Sequence, residues 1–332
     1  MEIALSIPLQ GGNVHAGTSF GSMTPKLSQK NSMFLLGMGF VGQSLARKLH
    51  NLGWVVSGTC TTSLRKKQLQ DTGFHVHLFD ANHPDLDVLQ LVKSYTHILV
   101  SVPPVVDIGD PMLQHEELIR SSLANGDLQW LGYLSSTSVY GDCDGALVDE
   151  DYPTNPESDF AKLRLTSEEG WSNLSHYLGI SPLIFRLGGI YGPGRSAVDT
   201  IIKQKPASEG QKRRKYRKYT SRVHVEDICQ ALMATLYAPS PSEVYNIVDD
   251  DPAPREEVFE YAMKLVEKKW PELKLRSVEQ RQKEMPIVNP RGEKRVSNDR
   301  MKRELGVQLL YPDYRSGLNS IIDNIHSPFH IH

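Results

Sequence analysis

The chain has 332 residues, enough for one large domain or two, with 39% hydrophobic and 23% charged residues and a formal net charge of −2. This weak charge gives the whole molecule no strong attraction to nucleic acid or to an anionic membrane, and no uninterrupted apolar run approaches the ~20 residues of a membrane-spanning helix. The three scattered cysteines show neither a disulfide framework nor zinc-site spacing, which is typical of a reducing compartment. No metal site is expected. These cysteines are Cys60, Cys143 and Cys229.

Residues 1–31 differ in composition from the rest of the chain. They hold one acid, Glu2, two lysines and no arginine, with many Ser, Thr and Gly residues and no hydrophobic period. An organelle-targeting leader has this composition, and so does a plain disordered tail. The lack of arginine argues against a mitochondrial leader, so the segment favours a plastid transit peptide and location in the chloroplast stroma, with the cytoplasm as the alternative.

From residue 33, short apolar runs alternate with helical patterns. One helical stripe consists of Val41, Leu45, Leu49 and Leu52, and Gly53 is predicted to end that helix. Strands that alternate with helices predict right-handed crossovers and an α/β fold with a doubly wound parallel sheet. The predicted strands are "MFLLG" at 33–37, "WVVSGTC" at 54–60, "HVHLFD" at 75–80, "HILVSV" at 97–102, "WLGYLSS" at 130–136 and "SPLIFRLG" at 181–188.

After about residue 192 the regular alternation ends. Loops, a basic run and isolated helices follow, and "SEVYNIVDD" predicts a late strand that returns to the sheet. We therefore predict a Rossmann domain over 32–192 plus about 221–249. A small C-terminal lobe is predicted over about 193–220 and 250–327.

The stretch "FLLGMGFVGQSLARKL" carries a Gly-x-Gly-x-x-Gly pattern between a predicted strand and a predicted helix. Gly37 permits the tight turn, Gly39 lets the backbone approach a pyrophosphate, and Gly42 lets the helix pack closely on the strand. The turn amides, with Phe40 and Val41 among them, then face the phosphates from the positive end of the helix dipole. The pattern predicts a dinucleotide-binding turn, with a purely structural turn as the alternative.

The next predicted strand ends near Thr59, where an NAD site usually carries an acid for the ribose 2′-hydroxyl. The stretch "GTCTTSLRKK" instead offers the hydroxyls of Thr61 and Thr62 and the charge of Arg65, which suits a 2′-phosphate. The sequence therefore favours NADP over NAD, although a solvated basic helix start would look the same. Asp80 is a candidate acceptor for the adenine amino group, or simply a turn residue.

Several further motifs occur in a fixed order: "YLSSTSVYGD" at 133–142, "FRLGGIYGPGR" at 185–195, "SRVHVEDICQAL" at 221–232 and "VYNIVDDDPAP" at 244–254. With the glycine turn, they resemble the extended short-chain dehydrogenase/reductases, the superfamily of nucleotide-sugar epimerases and dehydratases. The resemblance covers about residues 33–320 and implies an NAD(P)-binding Rossmann fold with a substrate lobe. Leu36 stands where the family's first glycine would be, so the chain resembles the atypical members.

The same resemblance locates the expected catalytic positions. It places the family's Ser or Thr at Ser136, and it places Phe160 and Arg164 where the family carries a Tyr-x-x-x-Lys motif. Arg164 is then expected to donate to the nicotinamide ribose, and Ser136 to hydrogen-bond a substrate oxygen. Phe160 has no proton to transfer, so the usual proton relay is predicted to be missing.

Three other residues are candidate replacement acids: Tyr140, Lys162 and Tyr191. Tyr191 belongs to a loop expected at the carboxyl edge of the sheet, where such folds bind ligands, but an aromatic packing wall is the simpler interpretation. Lys162 would point about 200° away from Phe160 on a helix.

The run "QKRRKYRKYTSR" holds six cations between Lys212 and Lys218. It fits a solvated loop, a lid that supplies charge to an anionic substrate, or an RNA-binding patch, of which the last is the weakest. In extended family members the equivalent segment often binds substrate phosphates, which makes Arg195 and Arg222 candidate substrate ligands.

Two functions remain open from the sequence. One is an oxidoreductase or epimerase-like enzyme that acts on a small anionic metabolite. The other is a non-catalytic, NADP-responsive binding or assembly factor in the plastid. Nucleic acid is an unlikely partner, and the sequence gives no oligomeric state.

Overall fold

The computed structural model describes residues 31–80, 82–83, 85–124, 126–203, 218–237, 240–273 and 294–328. Its strands, in chain order, are β1 (Ser32–Leu36), β2 (Val55–Cys60), β3 (His75–Leu78), β4 (His97–Val100), β5 (Trp130–Ser136), β6 (Leu147–Val148), β7 (Leu183–Leu187), β8 (Gly189–Tyr191), β9 (Arg222–His224), β10 (Val244–Ile247) and β11 (Arg295–Val296).

The α-helices in the described part of the chain alternate with these strands. They are α1 (Phe40–Asn51), α2 (Ser63–Asp71), α3 (Leu86–Gln90), α4 (Glu116–Leu123), α5 (Asp159–Tyr177), α6 (Ala197–Ile202), α7 (Val225–Tyr237), α8 (Arg255–Lys269), α9 (Asp299–Leu305) and α10 (Tyr314–Asp323).

Seven strands form the central sheet in the order β10-β7-β5-β4-β1-β2-β3, and every neighbouring pair is parallel. The doubly wound α/β fold predicted from the sequence is confirmed, and each of the six predicted apolar runs overlaps a strand. The strand order reverses between β1 and β4, where Leu36 pairs with Val100. In such sheets the crevice beyond the carboxyl ends of these two strands is the usual ligand site.

Each face of the sheet is covered by its own apolar cluster. On one face Leu35 of β1 packs in the same cluster as Leu45 of α1 and Ile228 of α7. On the other face Phe34 shares a cluster with Trp171 of α5. Neighbouring residues of one strand therefore serve opposite faces, as expected for a strand buried on both sides.

The predicted stripe on α1 is wrong at its last position. Leu52 is 55% exposed because α1 ends at Asn51 and Leu52 forms its C-cap. Gly53 follows with φ +80°, a conformation that favours glycine, and turns the chain towards β2.

A third apolar cluster joins helices from the later part of the chain. Val198 of α6, Ala262 of α8 and Leu318 of α10 belong to it. The predicted domain boundaries stay predictions. Within the described ranges, none of the helices is both long and apolar enough to cross a bilayer.

Candidate functional site

The turn between β1 and α1 is shaped by Gly37. This residue has φ +99°, and a Cβ atom there would lie 3.2 Å from the Ser101 carbonyl carbon, just beyond β4. Its amide donates to Oγ1 of Thr59 over 2.9 Å, and the Met38 amide donates to the carbonyl of the same threonine. The end of β2 therefore fixes the turn: Thr59 is 2% exposed and holds the loop, and it also lines the crevice above the turn.

The other two glycines are required for different reasons. A Cβ on Gly42 would lie 2.7 Å from the Gly37 carbonyl oxygen, so helix and turn could not pack as they do. A Cβ on Gly39 would have no heavy atom within 4 Å. Gly39 is the N-cap of α1, and no side chain caps this helix end. The N-terminus of α1 thus presents an open backbone to the crevice, a geometry that suits an anionic phosphate group.

The crevice above this turn, here called the glycine cleft, has a volume of about 590 Å³, within the range of small-molecule sites. Its lining comes from β2, α1, α2 and the loops that follow β1 and β4, and includes Gly39, Phe40, Gln43, Arg47, Thr61 and Arg65. Among the described residues that line it, none is acidic. The cleft combines an uncapped helix end with two guanidinium groups.

The positions at which the resemblance places catalysis lie at the ends of β5 and α5. Ser136 is half-buried, and its Oγ accepts from the Ser138 amide over 3.2 Å. Arg164 is 8% exposed and donates through Nη1 to the Leu134 carbonyl over 2.8 Å. The Phe160 ring is 42% exposed, and the Arg164 guanidinium carbon lies 5.3 Å from its centre.

Arg164 therefore points inwards, against β5. The hydroxyl of Tyr133 lies 3.4 Å from the same Nη1, while Nε is buried without a hydrogen-bond partner among the described residues. The guanidinium supplies positive charge beneath the Phe160 ring, and its predicted contact with a nicotinamide ribose stays a prediction.

A second cavity, of about 410 Å³, opens beside the glycine cleft, and Gly194 lines both. We call it the arginine pocket. Its basic lining comes from four different elements of the chain: Arg195, Lys203, Arg222 and Arg255. Tyr191, Phe259 and Tyr314 add aromatic surface. A cavity of this composition suits an anionic ligand with a flat apolar part.

The sequence of this fold matches a known family. The model of the NAD-dependent epimerase/dehydratase family matches residues 33–248, about two-thirds of the chain. The chain belongs to the NAD-dependent epimerase/dehydratase family. Protein YeeZ of Escherichia coli K12 is 30% identical over 287 residues, which cover 84% of this chain and 96% of the relative.

Solved structures with the same fold include two that differ in their similarity to this chain. A functionally unknown conserved protein from Silicibacter pomeroyi is 33% identical, with a TM-score of 0.71 over 90% of this chain and 100% of its own. UDP-glucuronic acid 4-epimerase from Bacillus cereus, in complex with UDP-glucuronic acid and NAD, is 17% identical. Its TM-score is 0.68 over 88% of this chain and 98% of its own, a likeness of fold alone.

The structure brings some of the predicted cofactor residues together and sets others apart. Thr61 and Arg65 line the glycine cleft. Thr62 does not, because its side chain caps α2 by accepting from the Arg65 amide. Val41 is 4% exposed and packs in the core. Asp80 accepts from the backbone and side chain of Asn82, as a turn residue does.

Both tyrosines considered as replacement acids are held by the protein. The Tyr191 hydroxyl donates to the Asp313 carbonyl over 3.3 Å, and burial raises the pKa of this phenol well above its ordinary value. The Tyr140 hydroxyl donates to Asn246 and accepts from Arg186. Burial raises its pKa too. Tyr191 lines the arginine pocket, which fits an aromatic packing wall better than the role of a catalytic acid.

Lys162, the third candidate acid, lies on an exposed surface, where its Nζ is 3.9 Å from an Asp159 carboxylate oxygen.

The two predicted substrate arginines both line the arginine pocket. Arg195 is exposed, and its guanidinium carbon lies 5.4 Å from the centre of the Phe40 ring, at the border with the glycine cleft. Arg222 is 7% exposed and donates to the carbonyls of Asp251 and Ala253. Part of its bonding capacity therefore holds the loop that leads to α8.

Sequence reasoning missed three basic residues at these cavities. Arg47 lies two turns into α1, and Lys203 and Arg255 lie 52 residues apart in the chain. None belongs to a motif. For Arg47 alone the sequence held a signal. It follows Gly42 on the same helix, so its side chain could have been predicted to lie near the cleft.

Asp227 lies in the first turn of α7, and its two carboxylate oxygens accept from the amides of Leu310 and Tyr311, which fixes the chain before α10. Within the described ranges no group of three or more metal-ligating side chains occurs. The basic run lies outside the described residues up to residue 217.

Proposed function

We propose that the chain binds NADP in the glycine cleft and acts as an oxidoreductase or epimerase-like enzyme on a small anionic substrate. The observation that carries the proposal is the contact of two cavities at Gly194. One has an open glycine turn and two arginines with no acid in its described lining, and the other is lined by four cations and one acid, Asp199. A dinucleotide and an anionic substrate would then lie side by side.

The cofactor fits the residues that are present. The bare backbone at Gly39 and the uncapped end of α1 suit the pyrophosphate. The guanidinium groups of Arg47 and Arg65 suit a 2′-phosphate, for which bidentate arginine contacts are favourable. The Bacillus cereus epimerase holds NAD in a fold of the same kind, which supports a nicotinamide dinucleotide here but not the choice of NADP.

The chain's own residues would then have these tasks. A bound nicotinamide supplies or accepts the hydride. The Ser136 hydroxyl would donate its proton to a substrate oxygen, since among the described residues its Oγ is used only as an acceptor from the Ser138 amide. Arg164, buried against the Leu134 carbonyl, would add positive charge behind the Phe160 ring that favours developing negative charge there. Arg195 and Arg255 orient the anionic group of the substrate.

A strong general acid is the part that this arrangement lacks. Phe160 has no ionisable group, and the hydroxyls of Tyr140 and Tyr191 are donated to Asn246 and Asp313. General acid–base help contributes roughly 10²–10⁴-fold, so we expect slow turnover rather than none.

This lack favours a second candidate, a non-catalytic NADP-responsive binding or assembly factor. Here the same two cavities would bind cofactor and a partner anion without reaction. A screen of anionic carbonyl and hydroxy compounds, followed by the loss of NADPH fluorescence with the carbonyl compounds and its appearance from NADP with the hydroxy compounds, separates the two. Turnover that is lost on Arg255→Gln supports the enzyme; tight cofactor binding with no turnover across the screen supports the binding factor.

We also propose the plastid stroma as the location, from the composition of residues 1–31 alone. N-terminal sequencing of the protein from its native tissue tests this. A mature chain that begins near residue 31 supports the proposal, and one that still begins at Met1 overturns it.

A further inference from the structure

Asp249 is a buried carboxylate that neither cavity uses directly. It follows β10, its side chain is 2% exposed, and neither oxygen accepts a hydrogen bond from a described residue. The Asp251 amide approaches the carboxylate but stays outside hydrogen-bond geometry. An ionised carboxylate buried in this way is strongly unfavourable unless a charge or a proton compensates it.

The compensating charge is Arg222. The Asp249 amide donates to the Arg222 carbonyl over 2.6 Å, so β9 and the end of β10 lie side by side. The Arg222 guanidinium donates to the carbonyls of Asp251 and Ala253 and not to the Asp249 carboxylate. Its charge therefore acts on Asp249 through space. The same guanidinium lines the arginine pocket on its other side.

Burial raises the pKa of Asp249 well above its ordinary value, and the charge of Arg222 opposes that shift. A second anion near Arg222 reduces the stabilisation that the guanidinium gives to the ionised Asp249 carboxylate, because one positive charge is then shared between two negative groups. An anion in the arginine pocket and an ionised Asp249 thus disfavour each other.

The other titratable groups around Asp249 and Arg222 either keep one protonation state near neutral pH or form ion pairs. Tyr191 on β8 and Tyr314 on α10 have pKa values raised above the ordinary phenol value, first of all by burial, so both stay neutral. The pKa of His224 on β9 is lowered to about 4 by burial, so it is neutral above pH 5. In the adjoining loop, Asp250 pairs with Lys302 and Asp251 with Arg315.

Two more carboxylates face Tyr191 from other elements. Asp227 on α7 accepts from three donors, the amides of Leu310 and Tyr311 and the side chain of Gln230. Asp313 caps α10 by accepting from the Ser316 amide. Among the described acids around the pocket floor, Asp249 alone has two buried oxygens without a hydrogen bond.

We propose that an anion binding in the arginine pocket is accompanied by uptake of one proton on Asp249. At a pH high enough to ionise Asp249 in the free protein, the free pocket holds Arg222 with the carboxylate, and the loaded pocket holds Arg222 with the anion and a neutral Asp249. This inference rests on the proposed function only in taking the pocket as an anion site; it does not depend on NADP or on turnover.

The coupling gives the anion affinity a definite pH dependence. Because the loaded form binds the extra proton, affinity is highest when Asp249 is already protonated. It falls as pH rises through the pKa that Asp249 has in the free protein. The limit is a tenfold loss per pH unit for a one-proton step.

Sulfate is a suitable probe, since its charge is constant between about pH 5.5 and 8.5. Calorimetric titration of the full chain in two buffers of different ionisation enthalpy gives affinity and protons taken up together. We expect up to one proton per sulfate and an affinity that weakens up to ~10-fold per pH unit. Arg255→Gln should weaken sulfate binding, which locates the site in the pocket.

Two variants with the same chemical change assign the proton. Asp249→Asn should bind sulfate with no proton uptake and little pH dependence, whereas Asp250→Asn, at the exposed next residue, should behave as the wild type does. A further measurement needs only the wild type and so does not depend on whether a variant folds. Infrared difference spectra should show one carboxylate becoming a carboxylic acid on sulfate binding.

Each outcome bears on a different part of the proposal. Sulfate binding without proton uptake, or uptake that persists in Asp249→Asn, overturns the coupling and leaves the proposed function intact. Absence of saturable sulfate binding, or binding unchanged by Arg255→Gln, overturns the anion site and with it both proposals.

Discussion

The Arg164 guanidinium carbon lies 5.3 Å from the centre of the half-exposed Phe160 ring, one helical turn apart on α5. In the register that the resemblance predicts, these residues stand in place of a phenol and an ammonium group. In that predicted register the positive charge is kept and the ionisable ring is absent. This pair decides whether the family's acid–base chemistry can occur here.

Phe160→Tyr should restore a usable acid. Arg164 would favour the phenolate, so the new hydroxyl should have a pKa below the ordinary value of ~10. The difference in tyrosinate absorbance between variant and wild type during a pH titration measures it. With a substrate in hand, turnover should rise by roughly 10²-fold or more. A new phenol that ionises at or above about pH 10 would contradict this role of Arg164.

Two glycines of the same turn should respond differently to alanine. Gly39→Ala adds a methyl group into open space, so the free energy of unfolding should change little while NADP affinity falls ~10-fold or more. Gly42→Ala places a methyl group 2.7 Å from the Gly37 carbonyl oxygen. We expect it to destabilise the protein by about 1–3 kcal/mol. Thermal unfolding and cofactor titration of both variants test the pair; equal losses of stability would contradict the geometry.

Arg65 should discriminate between the two cofactors. Its charge-assisted bonds to a 2′-phosphate are worth about 1.5–3 kcal/mol, so Arg65→Gln should weaken NADP binding by ~10-fold or more. Binding of NAD should stay within about twofold, because NAD has no group to lose. Arg120→Gln, on the distant helix α4, is the matched control. A loss of equal size for both cofactors would point to a general electrostatic effect instead.

Stability should fall in mild acid because of buried neutral histidines. His97 is 3% exposed, bonds to Thr96, and has its pKa lowered to about 4 by burial. Between pH 6.5 and about 4 the unfolded chain therefore binds a proton that the folded chain does not, and stability decreases as pH falls through this window. The expected loss is about 2–3 kcal/mol for full protonation of this group in the unfolded state.

Urea unfolding at about pH 5 and pH 7 measures this dependence. His97→Gln should reduce the difference between the two pH values, whereas His176→Gln, at a 58% exposed side chain, should leave it as it is. An unchanged difference in His97→Gln would assign the acid sensitivity to another group, such as the buried His224.

The sheet could be predicted from the sequence because each of its six early strands is a short apolar run between helical patterns. The glycine turn could be predicted for the same local reason. The prediction for Leu52 was wrong because an apolar stripe does not mark where the helix ends. The bonds of Tyr191 and Tyr140 could not be foreseen, since their partners lie 122 and 106 residues away.

The arginine pocket illustrates the same limit. Arg195 and Arg222 stand in recognisable motifs, but Lys203 and Arg255 join them only through the packing of α6 and α8 in the third apolar cluster. The burial of Asp249 likewise could not be predicted from "NIVDDDPAP", because nothing in the sequence distinguishes it from the two aspartates that follow. Burial separates them, since only Asp249 of the three is buried while Asp250 and Asp251 form ion pairs.

The most direct test of cofactor binding at the glycine turn is a fluorescence titration of the purified chain with NADPH and with NADH, repeated on Gly39→Ala. We predict saturable NADPH binding at least ~10-fold tighter than NADH binding, with both weakened in the variant. NADH binding about tenfold tighter than NADPH binding would contradict the choice of NADP, and affinities that Gly39→Ala leaves unchanged would contradict the placement of the dinucleotide on the glycine turn.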